Sequence, residues 1–234
     1  MGVSTAVSRV GLIDRLNAFR ERYGVKNAFF KAVDVILHKV FRAHVHTVVW
    51  LDLEPVSKMA CTDPRFSFRF LSADEIEAFA EEPSYYIDSS LADGVREGRE
   101  VCFSALEGTR LAAFGCYTLG YVPPEQASGA AMSFPADVAY MSYGFTHPDY
   151  RGARLHGYIM GLALQELAKR GVTKLVSIVS WTNLPSLKSC WRLGYINLGN
   201  MLTVGSKHRA IVGFYPSAAK NLGVRFGRQA LRIV

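Results

Sequence analysis

Residues 137–195 read DVAYMSYGFTHPDYRGARLHGYIMGLALQELAKRGVTKLVSIVSWTNLPSLKSCWRLGY, and the fold turns on this stretch. Its opening, residues 139–146, is rich in Tyr, Phe and Thr in loose alternation, which predicts a strand. Pro148 has no N–H to give to a ladder, so the strand stops beside it. Helical spacing follows: Leu155, Ile159, Leu162, Leu164, Leu167 and Ala168 share one stripe, ended by Lys169-Arg170-Gly171. A second strand runs over 174–181, and Asn183 starts a short helix that closes on Leu193-Gly194-Tyr195. The first helix therefore begins directly after a strand, with unpaired N–H groups and the positive end of its dipole at that point. Arg151 and Arg154 add full charges there, so the turn suits a phosphate or pyrophosphate.

This order of parts resembles the GNAT superfamily of CoA-dependent N-acyltransferases. The first family signature is a strand, a Tyr-Arg-Gly turn and Q/R-x-x-G-x-G/A opening a helix. Thr146-His147-Pro148-Asp149-Tyr150-Arg151-Gly152 matches its front half, while Arg154 and His156 stand at the later small positions. The second signature, N-x-x-A/S-x-x-x-Y-x-x-x-G-F, falls on Asn183, Ser186, Cys190, Gly194 and Tyr195, with Cys190 in the Tyr place. The similarity extends from near Phe66 to Tyr215. It implies an α/β (α+β) fold: a mixed, mostly antiparallel sheet with splayed central strands, flanked by helices. It also implies acetyl-CoA or another acyl-CoA as co-substrate and a primary amine, on a small molecule or peptide, as acceptor.

The resemblance assigns roles residue by residue. Backbone at Phe145, Thr146 and His147 would hold the pantetheine arm and polarise the thioester carbonyl. The N–H groups of Arg151, Gly152, Ala153, Arg154, Leu155, His156 and Gly157 would take the pyrophosphate. Arg154 and His156 are bulkier than the family's glycines and narrow that turn. Asn183 either orients the arm or caps the helix that follows it, and Ser186 lies under the arm. Cys190 either protonates the departing thiolate or packs in the core. The family's basic Glu falls on Ser142, which cannot act as a base alone. Tyr143 and Asp137 are the candidates, with a water chain as the alternative. Glu125, Tyr140 and His147 lie in the same region.

The rest of the 234-residue chain frames this site. No run of 18 apolar residues predicts a membrane span. The N-terminal segment carries charges at helical intervals, unlike a signal peptide, and Met1 to Ala6 falls short of the myristoylation pattern at Ala6. Cys61, Cys102, Cys116 and Cys190 are scattered, which reads as free thiols in a cytoplasmic protein. His44 and His46 share one strand face, but two ligands make no metal site, and none is expected. The net charge of +7 is uneven. Residues 1–60 hold nine basic and five acidic side chains, and residues 217–234 hold four and none. Basic ends of this kind suit an acidic partner such as acyl carrier protein, or an anionic membrane surface. They are not interleaved with aromatics, so nucleic acid is not expected. A homodimer is compatible with the pattern.

Three segments follow: an N-terminal helical extension with a strand (1–60), the GNAT-like domain (61–216) and a basic tail (217–234). The extension reads as helices over 8–22 and 27–42 and a strand over 44–53, with Thr47 to Trp50 apolar on both faces. In the domain, Phe66–Phe70 alternates as a strand, and Ser72 with Glu75 forms a capping box. A short helix lies within 85–98, and 101–106 with 110–117 forms a hairpin. Residues 121–136 read as a loop, and 195–204 with 209–215 as a last antiparallel pair. Leu222, Val224, Phe226 and Leu231 give the tail an apolar side that would pack on the body.

Overall fold

The computed structural model describes residues 12–53, 63–124, 126–127, 129–206 and 209–227. Cys61, Glu125, Leu231, Arg228, Arg232 and the Met1–Ala6 motif lie outside them. The chain opens with α1 (Leu12–Tyr23) and α2 (Val25–Phe41), followed by β1 (Ala43–Asp52). Next come β2 (Phe66–Phe70), α3 (Ala73–Ala80), α4 (Ser90–Arg96), β3 (Glu100–Glu107) and β4 (Arg110–Leu119). The short strands β5 (Tyr121–Val122) and β6 (Met132–Ser133) lead to β7 (Val138–Thr146), α5 (Leu155–Ala168), β8 (Lys174–Ser180) and α6 (Leu184–Arg192). The described chain ends with β9 (Ile196–Ser206), β10 (Arg209–Phe214), α7 (Ser217–Asn221) and β11 (Arg225–Phe226).

Eight strands form one sheet in the order β10-β9-β1-β8-β7-β4-β3-β2. Every neighbouring pair is antiparallel except β7 with β8. β1, from the N-terminal segment, lies between β8 and β9, so one sheet runs across the boundary drawn at residue 60. Its composition explains the position. Val49 and Leu51 enter one core while Val48 and Trp50 enter the other, and a strand covered on both faces must be apolar on both.

α5 covers one face. Its Leu155, Ile159, Met160, Ala163, Leu164 and Leu167 pack with Leu51, Phe103, Ala113, Tyr117 and Leu175. Leu162 is only half-buried and Ala168 is exposed, so the stripe is rotated slightly from the one its leucines suggest. On the opposite face, α3 and α4 bring Ile76, Leu91 and Ala92 onto Leu106, Leu111 and Phe114. The capping box that starts α3 is formed: Glu75 N donates to Ser72 Oγ at 3.2 Å, and Ser72 N to Glu75 Oε2 at 2.9 Å. Further along that face Ala219, Val224 and Phe226 join Val48, Trp50 and Met201, so the tail packs on the body through these three. Leu222, expected beside them, is exposed because it falls at the end of α7 and turns to solvent.

Two expectations need correction. Residues 121–136 are more than a loop, because β5 and β6 pair there and β11 adds a third strand. Cys102 and Cys116 are joined in a disulfide between β3 and β4, with Cα atoms 4.2 Å apart. They face one another in the hairpin register, a pairing that spacing along the chain conceals.

Candidate active site

The site arises where the parallel pair fails. β7 and β8 pair at only three positions, Val138–Lys174, Ala139–Leu175 and Tyr140–Val176. Just beyond them, Ser142 is the extra residue of a bulge, since Tyr143 faces Cys116 and Met141 faces Tyr117. A bulge bends its strand, and Ser142 Oγ donates to Cys116 O at 3.2 Å, holding the bend on the β4 side. Ser177 Oγ donates to Met141 O at 2.9 Å at the apex of the wedge. Beyond it a cleft of about 620 Å³ opens between the strands.

Tyr143, Phe145, Thr146, Arg151, His156, Asn183, Ser186 and Cys190 line this cleft together. β8 supplies the other wall through Ser177 to Ser180, and Met160, Ser189 and Tyr195 complete it. Apart from Tyr195, which belongs to the second signature, these last residues carry no signature in the sequence. The serines at 177 and 180 in an otherwise apolar strand were the available signal. Arg151 Nε donates to Thr146 O at 3.4 Å, bending the side chain back over the strand end.

The turn explains the small residues of the signature. Arg154 is the N-cap of α5 and is left-handed, with φ 57° and ψ 18°. Glycine enters that region freely, whereas a side chain costs about 1–2 kcal/mol. Among the described residues no side chain caps α5, so its first-turn N–H groups keep their capacity for an anion. Three of the seven expected N–H donors are nevertheless committed: Arg151 to Pro148 O, Ala153 to Tyr150 O and Gly157 to Arg154 O. Gly152, Arg154, Leu155 and His156 remain as the candidates.

His156 reaches into the cleft wall beside Gly144, where an added Cβ would sit 2.6 Å from its Cε1. Burial holds its pKa below the ordinary histidine value, so the ring is neutral near pH 7. His147 falls outside the cleft. Its backbone N–H donates to Ala112 O at 2.9 Å and its ring packs against Tyr85, Phe145 and Tyr150, so that amide is not free to polarise an acyl carbonyl.

Asp137 is also apart from the site, at the opposite end of β7. It accepts from Lys174 Nζ at 2.6 Å and Thr173 Oγ1 at 3.1 Å, and the Lys174 bond holds its pKa below the usual value. A base for the amine cannot act from there, because six strand residues, about 20 Å, separate it from Tyr143. Tyr143 is in place but unsuited to that role. Burial and the neighbouring Tyr86 raise its pKa, leaving a neutral phenol stacked on Phe114 with ring centroids 5.5 Å apart. Cys190 is half-buried, and burial pushes its thiol up to about 11. Proton transfer from it to an ordinary thiolate, of pKa about 8.5, is therefore uphill. Asn183 does cap α6, with Ser186 N donating to its Oδ1 at 3.3 Å, while still lining the cleft.

Tyr143 borders two further spaces. A groove of about 730 Å³ includes Glu81, Tyr86 and Asp88, and a cavity of about 350 Å³ includes Tyr86, Asp88, Gln126 and Ser142. The bulge thus presents one surface to the cleft and the other to an acidic hollow.

The model of the Acetyltransferase (GNAT) family matches residues 65–195, more than half of the chain. The chain belongs to the GNAT family. A tandem GNAT protein from the clavulanic acid biosynthesis pathway is similar in fold, with TM-score 0.50 and 13% identity over 74% of this chain and 58% of that one. A GNAT-family protein from Novosphingobium aromaticivorans gives TM-score 0.48 and 20% identity, over 70% of this chain and 64% of the other. A GCN5-related N-acetyltransferase-like protein from Streptococcus suis gives 0.48 and 14%, over 75% and 66%. The chain thus spans less than two thirds of the length of these structures. No curated protein matches it. Among the described residues no helix is long and apolar enough to cross a membrane.

Proposed function

We propose that this GNAT-family protein transfers an acyl group from acyl-CoA, with acetyl-CoA the simplest donor, to a primary amine on a small molecule or peptide. The observation that carries the reading is the cleft between β7 and β8, which runs to the uncapped start of α5 and to Arg151. A pyrophosphate would meet the N–H groups of Gly152 and of Leu155 and His156 at that start, with Arg151 beside them. Acyl-CoA would supply the activated carbonyl. The chain's own part is to hold the donor along Thr146 and β8, and to admit the amine from the Tyr86–Asp88 side of Tyr143. The amine nitrogen bonds to the acyl carbon, the carbon–sulfur bond breaks, and the thiolate leaves along the cleft. The amine proton passes through a bridging water to the Asp88 carboxylate, which lines the hollow beside Tyr143. A proton from solvent satisfies the thiolate, so Cys190 is not required.

Calorimetric titration with acetyl-CoA, longer acyl-CoAs and free CoA tests this reading. Saturable binding of acyl-CoA, competed by free CoA, is the expected result, and no binding would sink it. A second reading, a fold that holds CoA without turnover, draws support from the cleft lining, which contains no Asp or Glu among the described residues. Amine-dependent release of free thiol separates the two. An acyl-carrier-protein donor remains an arm of the same assay. Cytoplasmic residence loses its argument from free thiols once Cys102 and Cys116 are bonded.

A further inference from the structure

α2 carries an apolar stripe that nothing in the described fold covers. Val25, Phe29, Ile36 and Val40 recur at steps of four and seven residues, which return to one side of a helix. Each keeps more than half of its surface in water. At 1.5 Å per residue the stripe is about 23 Å long. The opposite side of the helix is fixed to the body. The Phe30 and Trp181 rings lie 5.5 Å apart, and Asp34 accepts from Trp181 Nε1 at 2.8 Å and Thr182 Oγ1 at 2.7 Å. The exposed side is therefore a firm surface of the folded protein.

Charge frames the stripe. On a helical projection Lys39 falls to one side of it and Lys26 to the other. Neither has an ion-pair partner among the described residues. α1 packs along α2 and contributes Arg15, Arg20 and Arg22, together with the exposed Ile13. Residues 12–42 contain seven basic and three acidic side chains.

We propose that α2 seats this protein on an anionic lipid surface. Val25, Phe29, Ile36 and Val40 would enter the boundary between headgroups and acyl chains, and Lys26 and Lys39 would meet lipid phosphates. A straight apolar row edged by cations fits a plane of anionic lipid. A second copy of the chain would set the same lysines against one another, and like charges oppose that contact. The proposal does not depend on the acyltransfer reading.

The test is sedimentation of the full chain with vesicles of phosphatidylcholine alone and of phosphatidylcholine with phosphatidylglycerol. Pelleting with the anionic vesicles only, weakened by added salt, is the expected result. Phe29→Glu with Ile36→Glu should abolish it, and Lys26→Glu with Lys39→Glu should weaken it, with far-UV circular dichroism and melting temperature unchanged. Because all four side chains are solvent-exposed, these variants should fold. Wild-type protein that stays in the supernatant with anionic vesicles would overturn the proposal. So would glutamate variants that still pellet, or a wild-type dimer that those variants dissociate without any effect on lipid.

Discussion

The two ends of the β7–β8 pair are built from the same two strands and behave as opposites. At the closed end, Val138, Ala139 and Tyr140 meet Leu175 and Val176, all buried, and Asp137 ties the entrance to Lys174. At the open end the Ser142 bulge turns β7 away, and Ser177 and Ser180 replace aliphatic side chains along β8. β1 backs both ends but changes character along its length. Trp50 and Leu51 stand opposite Val176 and Leu175 at the closed end, while His46 stands opposite Ser180 at the open end. Stability is concentrated where the strands touch, and binding capacity where they part. One strand pair can do both because a single extra residue separates the two regimes.

The largest effect should come from the closed end. Leu175→Ala removes a fully buried side chain, and should cost about 2–5 kcal/mol by urea denaturation. A smaller loss, equal to that of an exposed leucine, would break the contrast. His46 sharpens it from the other side. Its ring nitrogens are shut off from water with no hydrogen-bond partner among the described residues, and burial, then His44, depresses its pKa from 6.5 to about 4. The unfolded chain therefore takes up the proton first. The stability that His46 contributes is fully present above about pH 6.5 and drains away as pH falls towards 4, by about 3 kcal/mol. Denaturation curves across this range should show the slope, and His46→Leu should flatten it.

Arg151→Ala tests the open end for function. CoA affinity should fall by about 1.5–3 kcal/mol with the melting temperature unchanged, and equal affinities would remove Arg151 from the site. Cys190→Ser should lower stability by about 1 kcal/mol while turnover per folded molecule is kept. A slowed chemical step at unchanged stability would restore Cys190 as the acid. The smallest effect belongs to Asp137→Asn. Its partly exposed pair with Lys174 contributes at most about 1 kcal/mol, and turnover should not change. With its folded pKa depressed, that contribution is present above the unfolded carboxyl pKa and is lost as pH falls through the folded one.

Local signals were legible in the sequence and spatial neighbours were not. Pro148, the α5 stripe, the Ser72–Glu75 box and the β3–β4 hairpin each depend on residues within a few turns of one another. Each is found where its pattern implies, apart from the slight rotation of the α5 stripe that leaves Leu162 half-buried and Ala168 exposed. The double-sided apolar run Thr47 to Trp50 announced a buried strand, but nothing local says that its neighbours are β8 and β9. The disulfide was hidden, since the closing pair Glu107–Arg110 alone would set Cys102 opposite Gly115, and the register shift between Ala105 and Leu106 brings Cys116 there instead. Asp137 is close to Tyr143 in sequence, but the two lie on one extended strand, so that closeness becomes distance in the fold. The Ser142 bulge shows as a serine where the family has a glutamate, and a sequence cannot show that it bends the strand.

The insertion of β1 between β8 and β9 has a consequence for how the chain acquires its shape. During synthesis residues 43–52 emerge well over a hundred residues before either partner strand, so an apolar strand waits without a ladder. Pairings of such long sequence separation form late and slow the whole reaction. Until they do, Val48 to Leu51 offer other chains the same unpaired edge. A fragment that begins at residue 65, where the family match begins, would leave β8 and β9 facing a gap one strand wide. Supplied separately, a peptide of residues 43–52 has that gap as its natural berth, so the sheet could be completed in trans.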